Sequence, residues 1–329
     1  MAENRDGIGR VSHLKMVIRL VIAILVVVWV GKTIAGSRKE IIEQGLVLTD
    51  FSAIALLSSA ACYVGGLMCF GVFWHQGLVA MGQRPRWTES LSSYFVSQLG
   101  KYVPGKALVV VIRSDRIASE RVTRSVAVIG VFVETLGMMA VGGIMSSLFV
   151  SIRYIRTGIG SDLVMLAVPL GICAVIAASP PVFRLVLMAL SRRRGMDSLS
   201  DAIAGLTWSV VLRGWIISCG GWVLLGMSLV FVLESFPESG TRMIAYSNYP
   251  QILSAVALAM VAGFASLLPG GAGVREMVIV SLLFPVVGVA TALLSAVVLR
   301  VVWLLCELLV SGVCYGWYLG TDNAENGKT

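Results

Sequence analysis

The sequence predicts an all-α fold, a polytopic transmembrane helical bundle of roughly seven to eight spans at about 20 residues each. Three observations carry this. Of 329 residues, 57% are hydrophobic and only 13% are charged, against about 45–50% and about 25% in an ordinary soluble domain. The mean hydropathy is +0.88. The apolar residues fall in runs of span length, separated by short segments rich in base, proline or glycine. A soluble fold of this size cannot hide so much apolar surface, and disordered or disulfide-framed chains are excluded by the same composition.

Span 1 is read at 14–31. It follows a basic stretch, as a signal peptide does, but its apolar part is long and no A-x-A site follows, so it reads as a retained span. Span 2 covers 51–80 and carries a face of small residues (Gly65, Gly66, Gly71) suited to close helix packing. From Ser90 to Tyr102 the apolar residues recur at helical spacing, with serines, Gln98 and Lys101 between them. That pattern predicts an interfacial or re-entrant helix, ended by Pro104-Gly105. A short apolar run, Ala107 to Ile112, follows it. Spans 3, 4 and 5 are placed at 124–150, 162–180 and 206–233, with Pro180-Pro181 closing span 4. Span 6, at 250–268, is broken by Pro269-Gly270-Gly271-Ala272-Gly273. A short helix at 274–287, stopping near Pro285, precedes the last span at 289–318. Residues 1–320 thus form one integral membrane domain, and 321–329 a polar C-terminal tail expected to be disordered.

The formal charge is +8. In a soluble protein such an excess points to nucleic acid; here topology accounts for it. Sixteen of the 26 basic residues lie in the N-terminal segment, between Arg84 and Arg124, or between Arg184 and Arg194. The alternate loops hold six, balanced by six acids. The positive-inside rule then places the N-terminus, and also the C-terminus, in the cytoplasm. The expected location is the cell inner (cytoplasmic) membrane, with no nucleic-acid partner.

The six cysteines lie within apolar stretches and form no CxxC pair, and two histidines without ligand-spaced neighbours make no zinc site. No nucleotide-binding loop is present. Neither cofactor nor metal is expected. No convincing nucleophile, metal set or acid–base pair supports a membrane-embedded transferase built on Glu134.

Charge sunk in apolar runs is the functional signal. Glu134 lies ten residues into span 3, Arg300 is similarly deep in the last span, and Arg213 is shallower in span 5. Glu307 follows Arg300 by two turns on the same face. Each such charge costs about 2.5–3.5 kcal/mol at mid-bilayer on insertion scales, so each must face protein or water and find a partner. Two readings stand open: a Glu134–Arg300 or Glu134–Arg213 pair that only fixes packing, or a polar path for a charged head group. In Leu268-Pro269-Gly270-Gly271-Ala272-Gly273-Val274-Arg275-Glu276 the glycines permit an exposed tight turn. The following helix start and Arg275 suit a phosphate, and Glu276 complements the helix dipole. Lys101, Pro104, Gly105, Lys106 and Arg113 form the counterpart in the first half. Paired Pro-Gly breaks, each about thirty residues before a buried charge, suggest a weak internal duplication of the kind that frames a transporter's central site.

Gln98-Leu-Gly-Lys101-Tyr-Val-Pro104-Gly105-Lys106, the later Glu134, and Leu-Pro269-Gly-Gly-Ala-Gly-Val-Arg275-Glu276 together resemble the lysylphosphatidylglycerol synthase transmembrane-region family. That family includes the flippase part of the multiple peptide resistance factor and stand-alone membrane proteins. The resemblance covers nearly the whole chain and implies broken helices and movement of a phospholipid or lipid-linked head group between leaflets. The full-length synthases carry a soluble aminoacyl-transferase domain after the membrane part. This sequence stops at residue 329 without one, so lysyl transfer from tRNA is not expected. The leading expectation is a lipid flippase that is not an enzyme. The alternative is a non-transporting subunit that presents lipid to a separate aminoacyl- or glycosyl-transferase. The partners expected are a membrane lipid, with a separate transferase and a second copy of the chain left open.

Overall fold

The computed structural model describes residues 51–102, 107–185, 203–236, 246, 248–266, 269–271 and 273–326. The predicted span 1 and Pro104, Gly105 and Lys106 lie outside the described residues. Within them the chain is helical, as predicted: α1 (Ala53–Ala80), α2 (Trp87–Gln98), α3 (Ala107–Ile117), α4 (Arg124–Thr157), α5 (Ser161–Ala178), α6 (Trp208–Glu234), α7 (Tyr249–Ala265), α8 (Val274–Val287) and α9 (Val289–Asn326). Among the described residues five helices are long and apolar enough to cross a membrane: α1, α4, α5, α6 and the stretch Thr291–Gly316 of α9. This is a multi-pass membrane protein.

Local chemistry sets most helix ends. The Ser52 hydroxyl accepts from the Ala55 N–H at 3.4 Å and opens α1, and Thr207 does the same for α6 through Val210. At α2 the Glu89 carboxylate reaches back to the Arg86 N–H at 3.0 Å, so the helix begins before Ser90, where the sequence placed its start. α4 continues to Thr157, beyond the expected 150, because nothing breaks it until Gly158 turns left-handed at φ 68°. α8 passes through Pro285 and ends at Val287. α9 reaches Asn326, so residues 321–326 of the tail expected to be disordered are helical.

The bundle is tied by close helix crossings. α1 packs along α6; a Cβ on Gly66 would fall 3.1 Å from the Gly221 carbonyl, and one on Gly221 only 2.7 Å from the Phe70 ring. The small-residue face divides its work. Gly65 and Gly66 meet α6, while Gly71 meets Leu91 and Tyr94 of α2. α4 takes α5 at a glycine contact, Gly143 against Gly171, and takes α6 through Trp222, whose Nε1 donates to the Met138 carbonyl at 3.0 Å. The core between these helices is filled by Tyr63, Phe70, Phe73, Trp74, Tyr94 and Trp222, all 1% exposed or less.

Two elements are interrupted. α2 tightens into a 3₁₀ turn at Leu99–Tyr102 before α3. α7 has 17 residues, about 26 Å at 1.5 Å per residue, short of the ~30 Å hydrocarbon core. A second 3₁₀ turn, Pro269–Gly271, joins it to the 14-residue α8.

Candidate functional site

The two 3₁₀ turns touch each other inside the bundle. The glycines of the second make this approach possible. Gly270, Gly271 and Gly273 have φ of 59°, 68° and 82°, a region costly for side chains with a Cβ. A Cβ at Gly270 would sit 3.4 Å from both the Tyr102 ring and Arg300 Nη2. A Cβ at Gly271 would lie 2.8 Å from Arg275 Nε, and one at Gly263 of α7 would lie 2.8 Å from Arg275 Cγ. Bare backbone on α7 and on the turn therefore forms the slot that holds the Arg275 side chain.

Around this slot stand the charges of α8, α9 and the first turn. Arg300 donates from Nη2 to the Gly270 carbonyl at 2.7 Å and forms an ion pair with Glu276. The other oxygen of Glu276 accepts the Gly273 N–H at 2.8 Å. The dipole-complementing role expected of Glu276 is thus joined by a charge contact to the last span. Glu307 pairs with Lys101 and accepts from the Tyr63 hydroxyl. The Tyr63 ring stacks on Trp303 at 4.5 Å and 10°. Trp303 in turn donates to Ser228 at 2.9 Å, whose hydroxyl bonds that of Ser59 at 2.8 Å. Lys101 Nζ lies 5.4 Å from the Tyr102 ring centre, within cation–π range.

The exposures in this cluster are unequal. The Glu307 side chain is 0% and that of Lys101 17% exposed; Arg300 and Glu276 are 9% and 14%. Arg275 is half-buried and forms no ion pair among the described residues. Its Nε is buried without a hydrogen-bond partner, as is Glu307 Oε2.

The remaining charge expected in the site belongs elsewhere. Glu134 pairs with neither Arg300 nor Arg213. Its partner is Arg113 of α3, at 2.7 Å, with both side chains 2% exposed. Tyr94 donates to Glu134 at 3.2 Å, Arg113 Nε donates to Ser97 at 2.9 Å, and the guanidinium lies 4.1 Å from the Tyr94 ring centre. This second cluster is closed on itself and fastens α3 to α2 and α4. It supplies no open phosphate partner, contrary to the expectation for Arg113. Arg213 is exposed on α6 and joins neither cluster.

The structure thus brings together Lys101, Gly270, Gly271, Gly273, Arg275, Glu276, Arg300 and Glu307. It adds Tyr63, Tyr102 and Trp303, which the sequence reading missed. Trp303 carried a signal, since it lies between Arg300 and Glu307 on one helix face; Tyr63 carried none. Chemically, three cations and two carboxylates between two helix breaks can hold an anion. Among the described residues no group of His, Cys, Asp or Glu could hold a metal ion.

A comparison with curated proteins finds no match. The family model described as lysylphosphatidylglycerol synthase TM region matches residues 16–311. That match takes in both helix breaks and every charge of the central cluster, and the chain belongs to this family of lipid-related membrane domains.

Proposed function

We propose that the protein moves a phospholipid or lipid-linked head group across the cytoplasmic membrane, with its N-terminus inside, and holds the head group by its phosphate at the cluster between the two breaks. The observation that carries this reading is Arg275. It is a guanidinium fixed in a backbone slot, near Glu307 but in no direct ion pair among the described residues, in a protein whose surroundings are hydrocarbon. A charge without a direct ion pair there is costly and functional by default, and the planar guanidinium suits bidentate contact with phosphate oxygens. Lys101, partly accessible, and Arg300, buried, are both already paired and give further contacts as their carboxylates yield. Acyl chains stay in the bilayer while the polar end passes between the breaks.

Reconstitution into proteoliposomes holding fluorescent phospholipid tests this. The wild type is expected to expose inner-leaflet label to an external quencher, and Arg275→Ala to slow exposure at least about tenfold, the loss of one charge-assisted phosphate contact. Equal rates in both proteins overturn the site. No movement above protein-free vesicles, together with a stoichiometric co-purifying transferase, favours the lipid-presenting subunit instead.

A further inference from the structure

We infer that the two broken elements are unequal: α3 is a fixed wall, and α8 is a gate that swings away from α9 when an anion takes Arg300 from Glu276. This rests on the reading that the cluster holds a lipid phosphate, and it names the part that moves.

Each break is the tip of a helical hairpin. Across the first, Arg113 of α3 meets Ser97 of α2, and Arg116 meets Ser92. Across the second, Gln251 of α7 donates to the Leu282 carbonyl of α8. In each hairpin the returning helix is latched by an ion pair to the long helix that follows it. Arg113–Glu134 latches α3 to α4, and Glu276–Arg300, with the signs exchanged, latches α8 to α9.

The first latch is sealed. Both of its side chains are 2% exposed. The Arg113 guanidinium lies 4.1 Å from the Tyr94 ring centre and 5.3 Å from that of Trp74, and Glu134 accepts from Tyr94 and Thr135 as well. Separating such a pair strands two buried charges. The far end of α3 is pinned too. Ser119 and Val122 exchange backbone bonds at 3.1 and 3.2 Å, and the Arg84 N–H donates to the Arg121 carbonyl at 3.1 Å. The Thr123 N–H donates to Gln83 at 2.7 Å.

The second latch is open to exchange. Its arginine and glutamate are 9% and 14% exposed, and Arg275 stands within electrostatic reach of Arg300. An anion held at Arg275 therefore competes with Glu276 for Arg300. Glu276 keeps the Gly273 N–H at 2.8 Å, so its release does not leave it bare. α8 is bounded by Gly273 and Gly288, at φ 82° and 79°, with nothing within 4 Å of either Cβ position. Glycine changes such a backbone conformation at little steric cost. The Gln251 bond holds the far end of α8 to α7, so the end nearest the break is the one that swings. α8 packs on α7 and α9, and its Met277 and Phe284 face outward, 64% and 49% exposed. The swing therefore displaces lipid on that side.

Thiol labelling tests this in the full chain with native cysteines replaced. Val278→Cys reports from the buried face of α8 and Ser114→Cys from that of α3; the parent side chains are 3% and 1% exposed. A small thiol reagent is applied with and without dimethyl phosphate, with sodium chloride at equal ionic strength as the blank. The anion is expected to speed labelling of Val278→Cys at least about tenfold, the worth of one released charge-assisted contact, and to leave Ser114→Cys within about twofold. Glu276→Gln is expected to give the faster Val278→Cys rate without the anion. An equal response at both positions, a larger one at Ser114→Cys, or none at either overturns the inference. So does an unchanged Val278→Cys rate in a folded Glu276→Gln protein; should that variant fail to fold, the response to the anion alone decides. The expected labelling without lipid movement in vesicles leaves the gate standing and removes translocation. Lipid movement without such labelling does the reverse.

Discussion

At the residue scale, Gly271 and Arg275 form one device. The glycine supplies a left-handed turn and an empty Cβ position, and the arginine occupies the space. Gly271→Ala is expected to cost about 1–3 kcal/mol through its backbone conformation alone. It should also push Arg275 out of its slot, so thermal unfolding and lipid movement should both suffer. The same mutation at Gly77, which has nothing within 4 Å of its Cβ position and lies inside a helix, should leave unfolding unharmed and serves as the control. The second cluster follows different energetics. Removing one partner of a buried pair strands the other, so Glu134→Gln should lose about 3–5 kcal/mol, whereas Arg113→Met with Glu134→Leu together should recover most of it. Unfolding of the three proteins in mixed micelles checks this. The identity of the buried charges was legible because apolar runs make any charge conspicuous. Their pairing was not. Glu134 and Arg300 share a depth, but depth says nothing about which helix lies opposite. Arg113, disguised as one of several basic residues near a loop, turned out to be fully enclosed.

Helix crossings and breaks are matters of the element. The second interruption could be read from Pro269 and the glycine run, because proline and glycine act locally; the first was expected at Pro104-Gly105, outside the described residues, and the 3₁₀ turn at Leu99–Tyr102 precedes that point. Helix ends were less legible where a cap outside the apolar run decided them. The Glu89 contact with Arg86 moved the start of α2, and the absence of any breaker before Gly158 lengthened α4. The glycine face of α1 was visible as a pattern, but its division between α6 and α2 needed the fold. Gly66→Val is the sharpest probe of that crossing. Even its first carbon meets Leu225 and the Gly221 carbonyl, so overpacking should cost about 1–3 kcal/mol. The loss should appear as a lower unfolding temperature in detergent.

For the whole molecule, the helical bundle was legible from composition and run length. The expected orientation rests on charge alone, and labelling checks it. Ser119 lies between α3 and α4, and Ser161 opens α5 at the far end of α4. With native cysteines replaced, Ser119→Cys should react with an impermeant thiol reagent only from the cytoplasmic side, and Ser161→Cys only from the opposite one. The reverse pattern would invert the molecule and with it the side from which lipid enters. Whichever face that is, under the proposed function the approaching phosphate meets an Arg300 held by Glu276. That carboxylate grips the arginine with one oxygen and the first turn of α8 with the other. The arginine can therefore change hands while the beginning of α8 stays buttoned. The ionic contacts of the cluster can thus be rearranged, as the proposed function requires, without unravelling the frame that presents them.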